Sequence, residues 1–231
     1  MSGPVTLPQG DEKRAVVTAM FDRVAPSYER LNRVISAGQD GRWRARTLAA
    51  LGLPTGSTVL DIACGTGDLC RSLAEAGHRP IGVDLSTGML RYAHAPAPLV
   101  LGDALALPVA TGSVDGLVCG FALRNFVDLD AFFAEAARVV RTDGRIALLD
   151  AAEPTGRLAR TGHSVWFRHA VPRIAAMFGG DRDAYRYLPA STAYLPDGPD
   201  LIRSLAAAGF TTVERTTLMM GAVQILSGRR A

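Results

Sequence analysis

The sequence predicts an α/β protein: a doubly wound, mostly parallel sheet of seven strands, with an antiparallel edge strand and a group of N-terminal helices. Three observations predict it. Short apolar runs alternate with helical stretches from Thr58 onward, the pattern of repeated βαβ units. The first of these runs, Val59-Leu60-Asp61-Ile62-Ala63, lies between turn residues and is apolar at both parities, as in a strand buried on both faces. The last two β-rich runs, 211–218 and 221–227, have no helix between them, so they are expected to pair antiparallel at one edge.

Taken in order, residues 1–10 read as a disordered lead-in, and 11–231 as a single domain. Within it, 11–55 are N-terminal helices. Val16, Val17, Met20, Phe21 and Val24 recur at three- and four-residue intervals, Pro26 interrupts, and further helices are expected over Tyr28–Ile35 and from Arg42. Residues 56–150 form the ligand-binding half: strands at 80–84, 98–102, 114–119 and 145–150, and helices at 67–77, from an N-cap at Ser86 to about His94, and at 130–140. Residues 151–231 supply a helical stretch over 157–178, a helix at 198–208 and the closing strands.

Composition narrows the classes. Of 231 residues, 48% are hydrophobic and 20% charged, which fits a folded soluble chain. No apolar run approaches the roughly 18–20 residues of a membrane span, and the polar N-terminus reads as neither signal nor anchor, so a cytoplasmic location is expected. The net charge of +3 comes almost wholly from Arg, Lys13 being the sole lysine; no clustered basic face suggests nucleic acid. Cys64, Cys70 and Cys119 are too few for a disulfide framework and share no metal-ligand spacing with the four histidines, so no metal is expected.

The chemistry concentrates at one edge of the expected sheet. Asp61 lies at the end of the first strand, followed by Gly65 and Gly67 in the turn into a helix; Asp84 ends the second strand, and Asp103 follows the third. In open α/β sheets ligands bind beside the carboxyl ends of strands, at the topological switch point. A dinucleotide site would have a third glycine where Cys70 stands, and Asp68 in the first helical turn would repel a diphosphate. Three carboxylates suit instead a phosphate-free, cationic adenosine derivative, S-adenosylmethionine. Asp84 would accept from the ribose hydroxyls and Asp103 from the adenine amino group. Asp61 would order the turn or approach the ammonium.

With these motifs in view, the chain resembles the class I methyltransferases, a Rossmann-like family, and within them the C-methyltransferases of menaquinone and ubiquinone biosynthesis. The resemblance runs from about Lys13 to the end. It rests on Phe21-Asp22-Arg23-Val24-Ala25-Pro26-Ser27-Tyr28, Asp61 to Asp68, Val83-Asp84-Leu85-Ser86, Gly102-Asp103-Ala104, Leu123-Arg124-Asn125 and Tyr185-Arg186-Tyr187-Leu188-Pro189-Ala190-Ser191. It implies a soluble enzyme that methylates a ring carbon of a prenylated quinol, demethylmenaquinol first. The other reading is methylation of another small aromatic metabolite on oxygen, nitrogen or carbon. The resemblance also implies cofactor contacts at Thr66, Asp84, Asp103 and Ala104, with Leu85 beside them, and through the backbone of Gly120, where some relatives carry a hydroxyl. Two departures concern the acceptor side: Asp150 stands where Glu is common, and Ala151-Ala152-Glu153-Pro154 replaces Phe-Ser-x-Pro.

Carbon methylation needs an activated ring oxygen, and thus a group that stabilises its charge. Arg124 is the candidate for that oxyanion and Asn125 for positioning the acceptor. A structural role is open for Arg124 too, as a partner of Asp128 or Asp130. Tyr28 either closes over the methionine part of the cofactor or packs on the sheet edge. Tyr185 and Tyr187 line the acceptor pocket or pack a loop, and His163 and His169 read as surface residues rather than bases. The basic, aromatic-containing stretch 157–178 suits a lid over the site or a peripheral contact with an anionic membrane. A homodimer remains compatible with all of this.

Overall fold

Beginning at the middle of the sheet, the chain builds outward to one side and then returns to build the other. The computed structural model describes residues 9–154, 156, 161, 187 and 191–231. The strands are β1 (Thr58–Ile62), β2 (Arg79–Asp84), β3 (Leu99–Leu101), β4 (Val114–Gly120), β5 (Val140–Ala151), β6 (Phe210–Leu218) and β7 (Val223–Arg230). Their order is β3-β2-β1-β4-β5-β7-β6. β1 through β5 are mutually parallel, while β7 runs antiparallel to both β5 and β6. The closing strands thus pair as expected, and the reversed strand is threaded one place in from the edge. Because β2 and β4 flank β1, the connections diverge there and open a crevice above the carboxyl ends of β1 and β4.

The alternation of side chains along each strand assigns the two faces. Leu60, Leu117, Ile146 and Leu148 face one layer, where Phe132 and Phe133 of α6 (Leu129–Val139) and Leu201 and Leu205 of α7 (Gly198–Ala207) cover them. Val59, Val118 and Ala147 face the other, under Leu51 of α3 (Asp40–Leu51) and Leu69 and Leu73 of α4 (Asp68–Glu75). Each such large side chain contributes about 1.5–3 kcal/mol by leaving water. Asp61 shares the parity of Val59, so a carboxylate is carried into the α4 side of the core.

Helix α1 (Gly10–Val24) is not part of either layer. It is followed by a 3-10 turn at Ala25–Ser27, where Pro26 interrupts the helix as expected, and by α2 (Tyr28–Ile35). Val17, Met20 and Val24 pack with Ala25, Tyr187 and Met89, the last from the five-residue helix α5 (Thr87–Arg91). This places α1 across the carboxyl edge of the sheet.

Several boundaries differ from expectation. α5 stops at Arg91 rather than near His94, and β3 is only three residues long. β5 begins at Val140 rather than 145, because Val140 already pairs with Val114; the register then slips, with Asp143 in the left-handed region, before Gly116 pairs with Arg145. Apart from Thr161, the stretch 157–178 with His163 and His169 lies outside the described residues, as do Tyr185 and residues 1–8. Among the described residues, no helix is long and apolar enough to cross a membrane.

The turn from β1 into α4 has a hard steric requirement. Gly67 sits at φ 86°, and a Cβ there would lie 2.5 Å from the Cβ of Ala95. Gly67→Ala is expected to lower the unfolding free energy by about 1–3 kcal/mol, from backbone strain plus the clash. Urea unfolding measures it, and an unshifted midpoint would show that the turn relaxes freely.

Candidate functional site

Three acids do reach one edge, but their surroundings differ. Asp61 is buried; its Oδ2 accepts from the Cys70 amide at 3.1 Å, while its Oδ1, also buried, has no hydrogen-bond partner among the described residues. Burial pushes its pKa up to about 7. Asp84 is buried at the end of β2 and bridges two loops: Oδ2 accepts from the Gly65 amide at 2.7 Å and Oδ1 from the Ser86 amide at 2.8 Å. Burial raises its pKa as well, against the opposing pull of those amides. Asp103 is more open. Its Oδ1 accepts from the Leu105 amide at 3.0 Å, and its Oδ2 pairs with Arg14 of α1 at 2.9 Å.

Around Asp84 the loop is pinned from two sides. Ser86 caps α5 as the sequence implied, its Oγ accepting from the Met89 amide at 3.0 Å. The same hydroxyl donates to Asp22 Oδ1 at 2.5 Å, which also accepts from the Gly88 amide at 2.8 Å. Helix α1 is therefore tied to the second-strand loop through Asp22 and to the third through Arg14.

Between these ties lies a cleft whose empty space, open mouth included, is about 860 Å³. Of the residues singled out from sequence, Tyr28, Gly65, Asp84, Leu85, Asp103, Ala104, Gly120 and Asn125 line it. Asp61, Thr66 and Gly67 are buried in the turn behind the wall rather than on it. Sequence reasoning missed Arg14, Phe21 and Met89, which also line the cavity. The conspicuous run Phe21-Asp22 to Tyr28 was the signal that the N-terminal helix takes part. Tyr28 packs edge-on to Phe21, with ring centroids 6.1 Å apart, and enclosure pushes its phenol up to about 12, against the pull of the Arg124 charge.

Asp68 is shared by Arg71 and, at 3.4 Å, by Arg44. Its repulsion of a diphosphate is thereby softened, and the case against one rests more on Asp61 and Asp84.

The loop after β4 forms a 3-10 turn, Leu123–Asn125. Arg124 is buried, and its guanidinium is taken up by Asp150 at the end of β5, not by Asp128 or Asp130. Its Nε donates to Ser191 Oγ at 3.2 Å. Asp150 is fully buried and also accepts from the Arg124 and Ala151 amides. Arg124 does not line the cavity; its neighbour Asn125 does, and Asn125 Oδ1 accepts from the Tyr187 hydroxyl at 3.2 Å. The sole lysine closes the arrangement. Lys13 Nζ donates to the Phe126 carbonyl at 2.7 Å and lies 3.7 Å from the centre of the Tyr194 ring, and burial lowers its pKa to about 8.

A ligand for this cavity must tolerate Asp84 and Asp103 on its wall and the buried carboxylate of Asp61 behind it. A sulfonium-bearing, phosphate-free adenosine derivative fits those requirements, and a diphosphate does not.

The sheet order with its reversed β7, the glycine turn after β1 and the acid-fringed cleft define a class I methyltransferase. The pattern of the ubiE/COQ5 methyltransferase family matches residues 9–230, and the chain belongs to that family. It is 39% identical over 230 residues to a demethylmenaquinone methyltransferase of Roseiflexus sp. (strain RS-1), covering 96% of both chains. It is 39% identical over 216 residues to the protein of the same name from Mycobacterium sp. (strain KMS), covering 93% of this chain and 94% of that one. Among solved structures, magnesium protoporphyrin IX methyltransferase from Synechocystis PCC 6803 superposes with a TM-score of 0.65. That alignment is 22% identical and covers 94% of this chain and all of the other, a likeness of fold.

The raised pKa of Asp61 has a consequence for stability. Between about pH 4 and 7 the folded state holds a proton that the unfolded chain releases, so this residue's contribution is present at low pH and lost as pH rises through 7. Asp61→Asn keeps an acceptor for Cys70 and removes the titration. Urea unfolding of the ligand-free protein at pH 5 and pH 8 is expected to show a smaller loss of stability for the variant than for the wild type. Equal losses would mean that Asp61 titrates normally.

Proposed function

We propose that this chain binds S-adenosylmethionine in the acid-fringed cavity and methylates a ring carbon of a prenylated quinol, with demethylmenaquinol as the acceptor. The observation that carries the reading is the pairing, in one cavity, of Asp84 and Asp103 at the sheet edge with Asn125 on the facing loop. Support for the acceptor comes from family membership and from full-length relatives named demethylmenaquinone methyltransferase.

The residue roles follow from the bonds already made. Each Asp84 oxygen accepts one amide and keeps a lone pair for a ribose hydroxyl. Asp103, held by Arg14 and the Leu105 amide, is the acceptor for the adenine amino group in this reading. Asp61, behind the wall, holds the glycine turn through the Cys70 amide. Gly120 and Ala104 supply close walls, and Tyr28 closes the side next to Gly65. S-adenosylmethionine, when bound, supplies an electrophilic methyl group. The protein's work is alignment of the acceptor carbon and stabilisation of charge on the acceptor oxygen. Asn125 meets that oxygen. Arg124 holds the loop against Asp150 and Ser191, and its charge reaches the cleft from behind Asn125.

Turnover with reduced demethylmenaquinone, set against a benzoquinol analogue, tests the proposal, with the product analysed by mass and NMR. One methyl on the naphthoquinol ring carbon is expected. A methyl on a heteroatom, or activity on neither quinol, would withdraw the acceptor.

A further inference from the structure

Side chains from the late segment reach three consecutive residues of the loop after β4, two directly and one through Lys13. Tyr187 bonds the side chain of Asn125, Ser191 bonds that of Arg124, and Tyr194 faces the Lys13 ammonium that caps the Phe126 carbonyl. The loop that carries the cavity's amide is thus held by side chains from a distant part of the chain.

An asparagine amide has two chemically opposite ends, and only one suits an oxygen that gains negative charge. The N–H end stabilises it; the carbonyl end repels it. We propose that Tyr187 is a positioning residue that decides between them. Its hydroxyl donates to Asn125 Oδ1 and so turns Nδ2 toward the cleft as a donor for the acceptor's oxygen. This deepens the methyl-transfer reading and rests on it.

Several features make the hydroxyl able to do this. The Tyr187 ring is buried among Val17, Met20, Val24, Ala25 and Met89, so the hydroxyl is held at a fixed place above the loop. Burial drives its phenol well above the ordinary range, so it keeps its proton and remains a donor. No other described hydrogen bond engages the Asn125 side chain, which leaves Tyr187 as the group that sets the amide's rotation. The Asn125 backbone is fixed independently, its N–H donating to the Ala122 carbonyl at 2.8 Å. Backbone placement and amide orientation are therefore separable by mutation.

Tyr187→Phe removes the hydroxyl and keeps the packed ring, so its thermal midpoint should stay near that of the wild type. The inference expects kcat to fall roughly tenfold to a hundredfold, the scale for misaligned reacting groups, with the KM for the methyl donor unchanged. Asn125→Ala should lose at least as much. Combining it with Tyr187→Phe should cost nothing further, since both act through one amide. Asn125→Asp keeps an acceptor for Tyr187 but removes the donor, and should be as poor as Asn125→Ala. Wild-type kcat in Tyr187→Phe, multiplicative losses in the double variant, or an active Asn125→Asp would each overturn it. Should the wild type methylate no quinol, the acceptor reading fails, and the Asn125 side-chain amide signals in 15N NMR still decide this point. They should shift in Tyr187→Phe, and unshifted signals would overturn it.

Discussion

The carboxylate of Asp84 joins two loops that would otherwise diverge. One oxygen holds the glycine turn that leaves β1, and the other holds the start of the loop that leaves β2. The sheet's topology makes this necessary, because β2 and β4 take opposite sides of β1 and leave a crevice with no side chains of its own to fill it. A buried acid bonded to the Gly65 amide across from it and to the Ser86 amide of its own loop fixes the β1–β2 bank of that crevice. It also fixes its sign: a second acid, Asp61, is buried beneath the same turn with an oxygen left bare. Burial alone raises the cost of ionising both groups, so the ligand-free protein holds them at a disadvantage that a cationic ligand offsets.

Around this joint the N-terminal helix acts as a cover. α1 reaches three loops with three polar side chains: Lys13 to the loop after β4, Arg14 to Asp103 after β3, and Asp22 to the loop after β2. The Arg14 ion pair is half exposed and contributes little on its own. Lys13 is different, since the residue is buried and its ammonium is satisfied by a carbonyl and an aromatic face. The strength of the cover therefore sits at its Lys13 end, and its weaker tie lies over the acid expected to meet adenine.

Much of this was legible in the sequence, for local reasons. The run from Val59 to Asp68 announces a buried strand and a turn needing left-handed residues, and Ser86 announces a cap; both signals lie within a few residues of what they specify. The alternation of strands with helices announced the parallel sheet covered on both faces. Partnerships across the fold were not legible. Arg124 has acids four and six residues ahead in the sequence, yet it pairs with Asp150, because β4 and β5 are neighbours and their carboxyl ends meet. The three ties of α1 were equally hidden, as no period within a helix says which loop its polar face will cross. The irregular start of β5 escaped for a similar reason: only the pairing of Val140 with Val114, a distant partner, extends the strand through Thr142, Asp143 and Gly144.

The central claim is that the crevice was built for a positively charged, phosphate-free adenosine compound. Isothermal titration calorimetry of the purified chain, beside Asp84→Asn, addresses it directly. S-adenosylmethionine should bind the wild type and bind the variant at least about tenfold more weakly, the loss of a charge-assisted hydrogen bond, while NAD gives no heat. Uptake of NAD with indifference to S-adenosylmethionine would contradict the account.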